Sequence, residues 1–115
     1  MNLTDQIYAQ ALVMVGSLSP EQDALLRVLC QAAKATLAGR LRRGVTPEDC
    51  RADFISAGSL LALAALSESD TGPERFTAGE MTVQRGDRAG AAGSLRRQAE
   101  GIIAPYALSG VFLGV

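Results

Sequence analysis

A chain of 115 residues is the size of one domain with one core, and its 48% apolar content is mostly alanine and leucine, with three Phe, two Tyr and no Trp. Such a composition favours closely approaching helices over a thick aromatic core. Eleven basic residues, ten of them arginine, stand against twelve acidic ones, so no net field draws the chain to nucleic acid or to an anionic membrane. With no histidine there is no imidazole base, no Ser-His dyad and no histidine metal ligand.

Asn2 or Thr4 caps a first predicted helix, 3–15, whose Ile7, Ala11 and Met14 share a face before Gly16 and Ser17 stop it. SPEQ, residues 19–22, sets Ser19 at an N-cap, Pro20 at the first helical position and Gln22 three residues after the cap. This capping box opens a second helix, 20–43. Its stripe is Leu25, Leu26, Leu29, Ala32, Ala33, Leu37 and Leu41, and Arg40, Arg42 and Arg43 fall in its last turn, where the helix dipole favours cations. Gly44 ends it, and Thr46 with Pro47 repeats the cap-plus-proline device for a third helix, 47–66. One stripe there is Cys50, Phe54, Ala57, Leu61 and Ala65, and a second is Leu60, Leu63 and Leu66. Two faces that need burial make it the central helix.

SESDTGP, residues 67–73, is a loop by composition. FTAGEMTVQRGD, residues 76–87, breaks the helical pattern. Read as one extended segment, neither alternating set of its residues is cleanly apolar, which fits a short strand or ordered loop partly covered by something else. GDRAGAAGS, residues 86–94, reads as a flexible glycine-rich link, with a turn at Gly86 and Asp87 as the alternative. A fourth helix, 92–104, beginning at Ala89 or Ala92, carries Leu95, Ala99, Ile102, Ile103 and Tyr106 on one stripe, and Pro105 limits it. The last ten residues, YALSGVFLGV, contain no charge, and such segments pack on a core or on a partner. The expected fold is therefore mainly α, a single domain over 1–115. It is a small four-helix bundle with one short extended or β-like segment between the third and fourth helices and an apolar tail over 106–115. Leu29, Leu37, Phe54, Leu61, Leu95 and Ile102 are its expected core.

Motifs that would carry chemistry are weak. In an antiparallel hairpin of the second and third helices, Cys30 lies about 15 Å along the axis from Cys50, too far for a disulfide, so both read as reduced buried thiols. Glu48 and Asp49 could bind magnesium, but their place at a helix start favours dipole capping. Gly86, Gly90 and Gly93 match no phosphate-binding fingerprint, and Arg85, Gly86 and Asp87 spell an adhesion tripeptide that reads here as a turn. The N-terminus MNLTDQ has an acid where a signal peptide would be basic, and the longest uncharged stretch, 54–67, is shorter than a membrane span. No enzyme activity, cofactor, metal or membrane association is expected.

FTAGEMTVQRGD, the helix SLRRQAEGIIAPY and the apolar end GVFLGV together resemble the phage and prophage head-tail connector, or head completion adaptor, proteins, over residues 76–115. Residues 1–70 are compatible with that family in their order of helices. The resemblance implies a non-enzymatic structural subunit that assembles as a homo-oligomeric ring between portal and tail proteins. DNA would pass through the ring without sequence-specific binding. It also implies a location in the bacterial cytoplasm during assembly and then in the virion. The contact residues would be Phe76, Gly79, Met81, Val83, Tyr106, Val111, Phe112 and Leu113, with Arg96 and Arg97 at an interface rim. The alanine-rich chain and compact glycine loop depart from the pattern and shorten the ring-forming segment. The rival reading is a small helical DNA-binding or regulatory adaptor domain, with the second and third helices as a helix-turn-helix, although the would-be recognition helix is apolar on two faces and carries only Arg51 near its start.

Overall fold

The computed structural model describes residues 2–69, 75–78, 81–84 and 88–107. Four helices build it: α1 (Leu3–Val15), α2 (Pro20–Arg40), α3 (Arg51–Glu68) and α4 (Arg88–Ile103). Between α3 and α4 lie two four-residue strands, β1 (Arg75–Ala78) and β2 (Met81–Gln84), paired antiparallel. The mainly α bundle with a short β element before the fourth helix is thus the architecture of this chain.

Local signals set most boundaries. Asn2 Oδ1 accepts the Asp5 N–H at 2.8 Å and starts α1, and Gly16, at φ +87°, ends it by donating to Leu12 O. That left-handed conformation is one a side chain would strain. The capping box of α2 is complete: Gln22 N donates to Ser19 Oγ at 3.2 Å, and Ser19 N to Gln22 Oε1 at 3.0 Å.

The C-terminus of α2 comes three residues before the expected 43. Leu41 leaves the helix extended, is buried, and forms an antiparallel bridge with Ala107, while Arg42 N donates to Tyr106 O at 2.9 Å. A tertiary pairing therefore ends the helix, and Gly44, at φ +88°, serves the turn that follows instead. Pro47–Cys50, expected as the first turn of the third helix, form a 3-10 turn, so α3 starts at Arg51, and it ends two residues past the expected 66. The start of the turn is tied by Asp49 Oδ2, which accepts the Thr46 N–H at 2.8 Å and the Thr46 hydroxyl at 3.0 Å; these bonds hold the Asp49 carboxyl below its ordinary range.

α3 is the centre of the molecule. Phe54, Ala57, Leu60, Ala62, Leu63, Ala64 and Leu66 are all buried, and α1, α2 and α4 pack around it. Gly58 lets α1 approach closely, since a Cβ there would sit 2.7 Å from Ile7 Cδ1. The buried hydroxyls of Ser59 and Ser67 donate to Ser56 O and Ala64 O, both at 2.8 Å, so neither is left unpaired in the core. The stretch Pro47–Glu68 is long and apolar enough to cross a bilayer, with mean hydropathy 1.3, but 61% of its apolar window is buried inside this fold.

Of the expected core, Leu37, Phe54 and Leu95 are fully enclosed. Leu29, Leu61 and Ile102 are only half-buried, packed against the core's edge. The buried line of α2 runs through Leu26, Cys30, Ala33 and Leu37, which turns Leu29 toward a shallow depression it shares with Leu61. In α4 the line is Leu95, Ala99 and Ile103, spaced by four, so Ile103 and not Ile102 is enclosed.

The expectation of a flexible link over 86–94 is overturned for residues 88–94, which are helical. Ala91 and Ala92 are buried, so the small residues bring α4 close to α3. Packing outweighs the poor intrinsic helix propensity of Gly90 and Gly93.

Candidate assembly surface

The stretch FTAGEMTVQ folds back on itself in place of forming one strand. The register pairs Arg75 with Gln84, Phe76 with Val83, Thr77 with Thr82, and Ala78 with Met81. Cross-strand partners and alternate residues share a face of a ladder. Phe76, Ala78, Met81 and Val83 therefore fall on one face, and Arg75, Thr77, Thr82 and Gln84 on the other. The antiparallel pairing of β1 with β2 resets the alternation and restores the amphipathic pattern that a single-strand reading misses. β1 runs beside α1, and β2 approaches α4.

The other expected contact residues are dispersed. Arg96 forms a two-pronged ion pair with Glu68 on α3, whose Nη1 to Oε2 distance is 2.9 Å, and that guanidinium holds the Glu68 carboxyl below its ordinary range. Its fork is thus engaged within the chain, while Arg97, next to it, is exposed. Tyr106 is half-buried, and its hydroxyl donates to Asp53 Oδ2 at 2.7 Å, which pushes the phenol pKa up. Gly79, Val111, Phe112 and Leu113 lie outside the described residues.

The corner where the chain reaches Ala107 is tied by arginines that the sequence reading placed only as helix-end cations. Arg40 grips Glu100 with both Nη atoms at 2.5 Å, and Arg42 Nη1 donates to the carbonyl of Pro105. Arg51 pairs with Glu48 at 2.5 Å. These contacts engage Arg40, Arg42 and Arg51 within the chain, while Arg43 is exposed. α3 keeps only Ala52 and Asp53 exposed before Glu68, so it has no open face to lay in a DNA groove.

A second surface escaped the sequence reading. Between α1 and α2 runs an open groove of about 460 Å³, lined by Asp5, Tyr8, Ala9, Leu12, Val13 and Arg27. On the far side of the same α1 ridge, Gln6, Ala9, Gln10, Val13 and Ile55 line another of about 320 Å³. Val13 is 82% exposed, and Val28, on α2, is 61% exposed. Tyr8 and Arg27, on the groove's rim, are engaged within the chain. Tyr8 donates its hydroxyl to Asp23, Arg27 Nε donates to Asp23 Oδ2 at 3.0 Å, and the Arg27 guanidinium lies 4.2 Å over the Tyr8 ring. The Tyr8 hydrogen bond, followed by that of Arg27, holds the Asp23 carboxyl below its ordinary range. The signal in the sequence was present: Ala9 and Val13, at i and i+4, form a second apolar line on α1 beside Ile7 and Ala11.

Cys30 and Cys50 are unpaired by disulfide and buried, and burial pushes the Cys30 thiol up to about 12. A thiol held protonated in this way is a poor nucleophile at neutral pH. Among the described residues no group of His, Cys, Asp and Glu could hold a metal ion. No family model, no curated protein and no solved structure matches the chain.

Proposed function

We propose that this chain is a non-enzymatic structural subunit of a phage or prophage head-tail connector, assembling as a ring between portal and tail. The observation that carries the reading is the hairpin of β1 and β2. Its sequence heads the stretch that resembles the connector proteins, and its register gathers three of the expected contact residues, Phe76, Met81 and Val83, on one apolar face. A two-stranded hairpin is marginal alone, and a neighbouring subunit or the portal would add to the cover that α1 and α4 give it.

The test is light scattering after size exclusion, across concentration, with and without a portal protein. Higher-order species, seen as rings by electron microscopy, support the reading, and a chain that stays monomeric even with the portal rejects it. Deleting residues 110–115 should leave the bundle folded and weaken assembly, because the bundle core described here is complete by Ile103. Unfolding of the truncated chain would place the tail in the core and remove it from the interface. Neutralising Arg97 should give a milder, salt-sensitive defect, as expected for a charge at an interface rim.

A further inference from the structure

We infer that the groove between α1 and α2 receives a second copy of this chain, through the uncharged segment around Val111, Phe112 and Leu113 of that copy. The inference rests on the assembly reading above and names where one subunit grips the next. The floor of the groove is Ala9, Leu12 and Val13, and its rim cation, Arg27, is already directed to Asp23 and Tyr8. Apart from Asp5 at one end, the lining presents methyl groups and a cation that is already paired, which suits an apolar occupant without ionic partners. Residues 106–115 form a ten-residue run of that composition outside the four helices.

Reach decides which copy supplies the segment. The described chain arrives at Ala107, bridged to Leu41 just past the end of α2. Arg27, on the rim of the groove, precedes Leu41 by fourteen residues, about 21 Å along the helix axis. Leu12 and Val13 sit in the last turn of α1, further on toward the link between α1 and α2. Val111 to Leu113 follow Ala107 by four to six residues, which span at most about 13–22 Å when fully extended. At full extension a chain's own segment ends level with Arg27 and short of Leu12 and Val13, whereas a neighbour's has no such limit. Segment into groove is a heterologous contact, which propagates from copy to copy and closes into a ring when its rotation allows.

The test uses the full chain and two charge insertions. Val13→Glu places a carboxylate on the floor at an open position, and Phe112→Asp places one in the segment. We expect the parent to associate with concentration and each variant alone to be monomeric with the parent's melting temperature. Their mixture should recover a 1:1 dimer, because the intact segment of the first meets the intact groove of the second. A parent that stays monomeric alone overturns the inference, as does a mixture that fails to pair. A fall in the melting temperature of Phe112→Asp without a change in mass also overturns it, since the segment would then pack on its own chain. If Val13→Glu assembles as the parent does, the groove assignment fails while the ring reading survives. If the parent forms no oligomer even with a portal protein, both fail.

Discussion

α1 and α3 each carry apolar residues on two faces, yet the fold treats them in opposite ways. Every turn of α3 is covered, because α1, α2 and α4 surround it. α1 buries only Leu3, Ile7 and Ala11 and leaves Ala9 and Val13 to solvent. An apolar second face therefore has two outcomes in one small bundle. At the centre it becomes core, and at the periphery it becomes a surface open to another molecule.

The sharpest way to test the contrast is Phe54→Ala. This ring is fully enclosed on α3, and its removal should cost about 3–5 kcal/mol by thermal or denaturant unfolding. A melt matching the parent would mean that α3 is not the centre. Next is Gly58, where α1 and α3 touch. Gly58→Ala should cost about 1–3 kcal/mol by overpacking on Ile7. Much of that loss should return in the double variant with Ile7→Val, read as coupling in a double-mutant cycle. If the two losses simply add, the close approach of α1 to α3 is wrong.

The ion pair of Glu68 and Arg96, at the open edge between α3 and α4, should matter less. Glu68→Gln should cost about 0–1 kcal/mol, as expected for a half-exposed pair. Its pH signature has a definite sign. The folded carboxyl titrates below its unfolded value because of Arg96, so its stabilisation is present above the ordinary carboxylate range and is lost as pH falls through the folded value. Asp23 and Asp49 are lowered too and add to the same acid limb. Melting temperatures across acidic pH should therefore fall less steeply in Glu68→Gln than in the parent. Smallest of all, Val13→Lys on the outer face of α1 should change stability by no more than about 0.5 kcal/mol. A larger loss in the monomer would show that this face is covered within the chain.

The helices were legible because their ends are marked by short-range chemistry. Asn2, Ser19 with Gln22, Pro20 and Gly16 act over three or four residues, and the observed α1 and the start of α2 fall where those residues put them. The central role of α3 was equally visible, since apolar residues all round a helix leave no solvent face. Of the expected contact residues, Phe76, Met81 and Val83 share a face, whereas Arg96 and Tyr106 are held by Glu68 and Asp53. No local pattern indicates those partners, because Glu68 and Asp53 lie 28 and 53 residues away in the chain.

By itself the sequence determined that four segments are helical, where α1 and α2 start, and that α3 must be enclosed, because capping, proline and periodicity act within a turn or two of the chain. The tertiary structure decided what depends on distant partners. It ended α2 at Arg40 by pairing Leu41 with Ala107, and it made the glycine-rich start of α4 helical by packing Ala91 and Ala92. It folded FTAGEMTVQ into a hairpin, and it left the groove beside Val13 open. Each of these outcomes follows from surfaces meeting across many residues, where burial and hydrogen-bond pairing outweigh the few tenths of a kcal/mol that separate local conformational preferences.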